Sequence, residues 1–177
     1  HGLYALGTGG ITINSSTADI SSNSYSNGDF NFNGSILKHG GLVRAAGTVH
    51  GFGTLVELGE KKEYSEPIQL PDYTRQAEEL LSEESVSVSE DQLNIQDSIC
   101  ADGNLFFNLN ALRIQSEEPV LVASLNGDIW INAGSVEGTG VIYAPNGIVY
   151  LNSSLCNFHG TIIAKEIRLG GAKFHIS

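Results

Sequence analysis

The chain has 177 residues, of which 41% are hydrophobic, an ordinary fraction for one domain that buries a core. Nine Lys and Arg against 20 Asp and Glu give a formal net charge of −11, which argues against a nucleic acid partner because a phosphate backbone selects basic surfaces. The sequence contains no apolar run of about 18 residues. We therefore expect no membrane contact by this fragment and expect any membrane helix to lie outside it.

Small residues recur along the chain, each at the end of a short strand-like segment. The steps between them are about 20 residues, apart from one longer interval between Ala45 and Ala101. A fixed period of this length predicts the stacked coils of a β-solenoid. Each repeat consists of two predicted strands around a turn, and the small residues are expected to face inward at a tight corner. The small column is Ala5, Ser26, Ala45, Ala101, Ala123, Ala144 and Ala164.

The turns contain Asn-Gly or Asp-Gly steps, which between two strands usually indicate hairpins. In this chain the same two strands follow in the same order in every repeat, which favours parallel coils. An antiparallel meander remains the alternative. The predicted fold class is all-β: a single-domain parallel β-helix, or β-solenoid, of about seven coils over residues 1–177.

The second strand of each repeat alternates between apolar and polar residues, so its two faces can be assigned. The expected inward pairs are Ile11/Ile13, Phe30/Phe32, Leu105/Phe107, Ile129/Ile131, Val149/Leu151 and Ile167/Leu169. An asparagine often closes this strand, and stacked asparagines can pass hydrogen bonds between coils. We interpret these as a structural column formed by Asn14, Asn33, Asn108, Asn132 and Asn152.

Residues 54–97 depart from the repeat and are predicted to form one insertion between the third and fourth coils. Pro67 and Pro71 indicate an extended linker, because proline restricts both itself and its predecessor. Residues 72–84 are rich in helix formers, with Asp72 as a candidate N-cap and Ala77 on an apolar face. An isolated helix of this length is marginal in water, so we expect it to lie against the solenoid.

Three aromatic residues occupy outward positions on the second strands of successive coils: Phe106, Trp130 and Tyr150. Neighbouring coils would stack them at ~4.8 Å, and an exposed aromatic ladder could bind sugar rings or a protein partner. The alternative is that Leu80 and Leu81 of the inserted helix cover the ladder. These three residues are the candidate ligand-binding site.

No arrangement in the sequence predicts catalysis, a metal site or a cofactor. Asp29, Asp102 and Asp128 lie beside turn dipeptides, where aspartate usually bonds its own backbone. The five histidines lack the spacing of metal ligands. The coil register places Cys100 and Cys156 on different sides, which favours two free thiols.

Several segments resemble the β-helical repeat domain of exported bacterial proteins, including type IV minor-pilin-like and pilus-assembly proteins. The segments that carry the resemblance are Ile142–Gly147 (IYAPNG), Phe158–Gly160 (FHG), Ile162–Lys165 (IIAK), Ser24–Ser35 and Ile68–Tyr73. The coil pattern alone also resembles the bactofilin-like polymer-forming proteins, which lack a comparable helical insertion. The first resemblance implies an extracellular or cell-surface location and no established catalytic site.

Two functions of different classes follow as expectations. The first is a non-enzymatic structural or adhesive module, the head domain of a pilus-associated, minor-pilin-like surface protein. Its expected partners are other pilus or cell-surface subunits, together with host or matrix glycans. The second is a carbohydrate-binding module that uses Phe106, Trp130 and Tyr150 as its platform.

Overall fold

Parallel strands make up most of the chain, which the computed structural model describes over residues 1–177. The elements are β1 (Gly2–Ile20), β2 (Asn23–Ser26), β3 (Phe30–Ala45), β4 (Val49–Phe52), β5 (Leu55–Lys62), α1 (Thr74–Glu79), β6 (Leu81–Glu83), β7 (Val86–Ile95), β8 (Ile99–Ala101), β9 (Leu105–Ile114), β10 (Leu121–Ser124) and β11 (Ile129–Ile176). Pairing between these strands is parallel throughout. The all-β solenoid with one short helix is thus confirmed, and the antiparallel meander is excluded.

Each full turn of the solenoid has three strands, where the sequence predicted two. In β1 the first strand pairs over Gly2–Ala5, the second over Gly10–Ser15 and the third over Thr17–Ile20. The second and third strands run on as one continuous strand assignment in β1, β3, β9 and β11, so the boundary between them is not marked by a separate loop. Three sheets therefore enclose the core, one for each strand of the repeat.

The order of the coils along the stack differs from their order in the chain. Fourteen residues of β1 pair with residues 161–176 at the end of β11, so the first and last coils lie against each other in the middle of the stack. From this seam, residues 2–62 wind to one end. Residues 81–95 form the other end, and the chain winds from there back to the seam. The first coil is therefore paired on both sides and forms neither end of the solenoid.

Residues 63–80, the strap, connect the two ends along the outside of the first sheet. The strap joins β5 to β6 in the first sheet, where these two strands are eight coil spacings apart, or about 38 Å at ~4.8 Å per spacing. One helix of six residues, α1, interrupts the strap. Twelve extended residues and this short helix reach about 49 Å, so the strap spans the stack with little slack. No helix in the structure has the length and apolar character needed to cross a membrane.

The stretch 54–97, predicted to be one insertion, contains three solenoid strands besides the strap. β5 pairs with β3, β6 with β8, and β7 with β9. Strand β7 (VSVSEDQLNI) belongs to an eighth turn, which adds to the predicted seven. The helix covers Thr74–Glu79, shorter than the predicted 72–84, and its N-cap residue is Tyr73. Asp72 instead accepts a hydrogen bond from the Thr74 amide at 2.9 Å.

One continuous core of 37 buried residues runs through the stack and includes all six predicted inward pairs of the second strand. The small column also faces inward, except at Ala123. There the register is shifted by one, and Ser124 pairs with Ala101 while Ala123 faces α1. The shift buries Leu121 and Leu125 under the strap and leaves Val122 in the core.

Ser124 also explains the shift through hydrogen bonds at the turn. Its hydroxyl donates to the Gly103 carbonyl at 2.7 Å and accepts from the Gly127 amide at 3.0 Å. Ser26 bonds within its own turn, where its hydroxyl donates to the Asp29 carbonyl at 2.8 Å and accepts from the Gly28 amide at 3.2 Å. A serine at this corner hydrogen-bonds a backbone carbonyl and a backbone amide of the turns, and an alanine side chain cannot make these bonds.

Candidate functional site

The three predicted site residues, Phe106, Trp130 and Tyr150, lie in one line on the outer face of the second sheet. Phe106 pairs directly with Trp130 in the ladder of β9 and β11. The rings of Trp130 and Tyr150 are stacked, with centroids 3.6 Å apart and planes inclined by 15°. The structure therefore brings together all three side chains as an aromatic ladder.

Arg168 continues this line on the next turn, and the sequence analysis did not assign it to the site. Its guanidinium carbon lies 5.3 Å from the centroid of the Tyr150 ring, and Nη1 donates to the Tyr150 hydroxyl at 3.4 Å. Glu166 accepts a hydrogen bond from Arg168 Nε at 2.6 Å, and this bond raises the pKa of Arg168. The sequence signal for Arg168 is its place one repeat after Tyr150.

This arrangement decides which parts of the rings reach solvent. Trp130 covers one face of the Tyr150 ring, and Arg168 lies over the ring as well. Stacking along the solenoid axis turns ring edges outward, together with the Tyr150 hydroxyl. A sugar ring that packs flat on Tyr150 would have to displace one of these neighbours.

The strap does not cover the aromatic ladder. Helix α1 lies on the first sheet, where Ala77 packs with a satellite cluster of apolar residues outside the main core. Leu80 and Leu81, the residues expected to cover the ladder, are each 43% exposed, and Phe106 is 36% exposed. Of the two alternatives posed by the sequence, the structure selects the open ladder.

An amide ladder runs beside the aromatic one, two residues further along each second strand. Its residues are Asn14, Asn33, Asn108, Asn132 and Asn152. The predicted coil-to-coil hydrogen bonds are present in two pairs, from Asn33 to Asn14 at 3.2 Å and from Asn152 to Asn132 at 3.0 Å. A groove of about 480 Å³ follows this corner of the solenoid along the C-terminal coils. The second sheet thus presents aromatic edges and amides side by side.

The three turn carboxylates have structural partners, though not the expected ones. Asp29 Oδ1 accepts from the Thr48 amide and Asp128 Oδ1 from the Ile148 amide, both at 2.8 Å. Asp102 Oδ1 accepts from the Asn126 side chain at 2.7 Å. Each partner lies one coil away, so these carboxylates tie neighbouring turns together rather than bonding their own backbone.

Two of the five histidines, His159 and His175, lie together with ring centroids 6.1 Å apart, but no three His, Cys, Asp or Glu side chains come together as a possible metal-binding group. His39 is buried in the third sheet, where its Nε2 bonds the Ser24 hydroxyl at 2.8 Å and its Nδ1 the Gly41 carbonyl at 3.2 Å. Because the Gly41 carbonyl can only accept, Nδ1 carries the proton. Burial lowers the pKa of His39, so the folded protein holds a neutral imidazole.

Both cysteines are free and buried, as predicted. Cys156 belongs to the main core, and its desolvation raises the thiol pKa to about 12. Cys100 lies in the satellite cluster beneath α1, where burial also raises its pKa. The Cys156 side chain therefore lies inside the solenoid, and the Cys100 side chain lies on the outer face of the first sheet.

Hydrogen bonds fasten the strap over the first sheet. The Tyr143 hydroxyl donates to Asp72 Oδ1 at 2.8 Å and lies 2.8 Å from the Thr74 hydroxyl. The backbone bond from Thr74, followed by the side-chain bonds, lowers the pKa of Asp72. Further along, Arg44 donates to the Glu66 carbonyl at 3.0 Å.

Comparison with known proteins gave no match to a family model, to a curated protein or to a solved structure.

Proposed function

We propose that the chain is a non-enzymatic structural and adhesive module outside the cell, the head domain of a pilus-associated surface protein. The observation that carries this proposal is the continuous core of 37 buried residues shared by eight turns. Such a stack is about 38 Å long at ~4.8 Å per turn and cannot bend without breaking ladder hydrogen bonds. A short rigid rod suits display and contact at a surface.

The polar residues of the turns support the same proposal. Asp29, Asp102 and Asp128 are the carboxylates that an enzyme on this scaffold would use first, and all three hold neighbouring coils together. The segments around Ile142–Gly147 and Ile162–Lys165, which resemble the pilus-associated domain, form core strands of the last two coils. The resemblance thus extends over residues that determine the fold.

Surface display can be tested on intact cells of the source organism. An antibody raised against the folded domain should label intact cells, and the domain itself should co-purify with sheared pili. Deletion of the domain should reduce attachment of the cells to a matrix-coated surface. Labelling that appears only after the cells are permeabilised would contradict the proposal. Chemical cross-linking on the cell surface would then identify the neighbouring pilus subunits.

A second candidate function is carbohydrate binding, favoured by the partly exposed aromatic ladder beside the amide ladder. Aromatic and amide groups together are the chemistry that recognises sugars through apolar contact and hydrogen bonds. Trp130 is the only tryptophan, so its fluorescence reports on the ladder directly. A glycan that binds there should shift the emission and protect it from acrylamide. A glycan array without hits on the folded domain would count against this candidate.

A further inference from the structure

The amide ladder is interrupted at one level in the middle of the stack. Asn33 and Asn14 form one hydrogen-bonded pair, and Asn152 and Asn132 form the other. The turn between these pairs carries Gly170, which pairs with Asn14 across the seam. The column therefore lacks one amide between Asn14 and Asn152, and we name this space the amide notch.

The direction of the hydrogen bonds defines what the notch requires. Asn33 Nδ2 donates to Asn14 Oδ1, and Asn152 Nδ2 donates to Asn132 Oδ1. The remaining Nδ2 of Asn14 and the remaining Oδ1 of Asn152 have no protein partner. A group that completes the ladder must accept a hydrogen bond from one side and donate one to the other.

The notch is open and close to its acceptor. A Cβ on residue 170 would lie 2.7 Å from Asn152 Oδ1 and no closer than 3.8 Å to the next atom, the Asn14 carbonyl oxygen. Gly170 and Asn152 both line the shallow, open groove that follows this corner of the solenoid. The open side of the groove leads toward Asn132 and Asn108.

We propose that the amide notch binds the acetamido group of an N-acetylated amino sugar in a neutral glycan. In a trans secondary amide the C=O and N–H point in opposite directions. One acetamido group can therefore accept from Asn14 and donate to Asn152, as the missing asparagine would. The proposal rests on the carbohydrate-binding candidate above and names its ligand class.

A peptide amide has the same two groups, but the surroundings of the notch favour a sugar. Both sides of the Gly170 turn are already engaged in the solenoid ladder, so no strand edge is free to receive an extended peptide. Tyr150 lies two residues from Asn152 on the same face and offers its hydroxyl and ring edge to the adjoining sugar. The amides of Asn132 and Asn152 can bond sugar hydroxyls.

The test compares two disaccharides of the same linkage, di-N-acetylchitobiose and cellobiose, by isothermal titration calorimetry and NMR titration. We expect the N-acetylated sugar to bind at least tenfold more tightly. Gly170→Asn should fill the notch and weaken that binding at least tenfold, while the melting temperature stays equal or rises. Residue 170 does not have a left-handed backbone angle, and the only atom within 3.4 Å of an added Cβ is Asn152 Oδ1 at 2.7 Å, so asparagine fits there once the Asn152 side chain shifts.

Two further variants protect the test against a trivial loss of folding. Asn152→Leu removes the acceptor of the notch and should weaken binding as Gly170→Asn does. Asn94→Leu, at an exposed asparagine in the third sheet of the end turn formed by residues 81–95, should leave binding unchanged. Circular dichroism and thermal melting of each variant confirm the fold.

The outcomes separate the notch from the aromatic platform. If Trp130→Ala abolishes binding while Gly170→Asn does not, the carbohydrate-binding function stands and the notch assignment fails. If the two disaccharides bind equally, the acetamido assignment fails. If N-acetylglycine N-methylamide binds more tightly than the N-acetylated sugar and competes at the notch, the occupant is a peptide. If the wild-type protein binds neither disaccharide, the notch and the platform both fail.

Discussion

The seam between the first and last coils predicts that the chain can be circularly permuted without a linker. Ile176 pairs with Ile20 and Gly2 with Asn23. Joining Ser177 directly to His1 would give Ile176 and Gly2 the same separation along the chain that Ile20 and Asn23 have. The permuted chain would begin at Leu70 and end at Gln69, which opens the strap between its two anchored ends.

The expected change in folding rate follows from the sequence separation of the paired residues. Pairing Ile20 with Ile176 closes a loop of about 156 residues in the natural order, and of about 21 residues after permutation. The free-energy cost of closing a loop grows as three-halves RT times the logarithm of its length, so the cost of forming the seam falls by about 1.8 kcal/mol. If the seam forms before the rate-limiting step, folding accelerates up to about 20-fold. Unfolding should accelerate equally, because the native contacts and the equilibrium free energy of unfolding are unchanged.

Stopped-flow chevron plots and equilibrium urea unfolding measure these quantities directly. The matched control is a permutant opened between Asn108 and Leu109, inside β9, which is paired on both sides. That control should be strongly destabilised. A permutant opened at Leu70 that fails to fold, or folds only with several added junction residues, would refute the coil order described here.

Three further predictions concern buried groups. The folded-state pKa of His39 lies below its unfolded value near 6.5, so the free energy of unfolding should fall as pH drops below about 7 and level off below the folded pKa. Urea unfolding at several pH values measures this dependence. The same measurement on His39→Leu should lack the part of the pH dependence that comes from this histidine. Tyr143→Phe removes the hydroxyl that bonds Asp72 and Thr74, and should cost about 1 to 2 kcal/mol and speed hydrogen exchange in α1; unchanged exchange would contradict the role of this contact. Cys100 should react with a thiol reagent when the strap opens locally, whereas Cys156 should react only on global unfolding, so equal labelling rates in mass spectrometry would argue against the two locations.

Sequence periodicity predicted the solenoid and the second strands because those strands alternate strictly and begin after Asn-Gly or Asp-Gly turns. It failed at Ala123 because Leu121 to Leu125 is buried throughout and apolar except for Ser124, so alternation no longer distinguishes the two faces. The strap supplies a second apolar environment there, and only the position of the strap decides the register. The sequence therefore predicts reliably which residues of a strand face the core where the opposite face of that strand is exposed to water.

The position of the aromatic ladder was predictable for a related reason, but the orientation of its rings was not. The repeat period places Phe106, Trp130 and Tyr150 in one column whatever the detailed packing. Whether ring faces or edges reach solvent depends on side-chain torsions and on Arg168, which periodicity does not encode. The coil order was hidden for a different reason, since parallel coils of similar sequence can pair in more than one order.

The outward column of the third sheet gives one physical reason why the observed order is selected. Arg113 pairs with Glu137, and across the seam His175 lies 3.7 Å from Asp19. Each exposed ion pair contributes under about 1 kcal/mol, so these contacts add little stability. Like charges placed directly opposite each other would repel at ~4.8 Å, however, and docking β1 against the turn of Glu137 would bring two carboxylates together. The charges therefore act mainly by excluding wrong neighbours, which a solenoid with a mid-stack seam needs more than one wound in chain order.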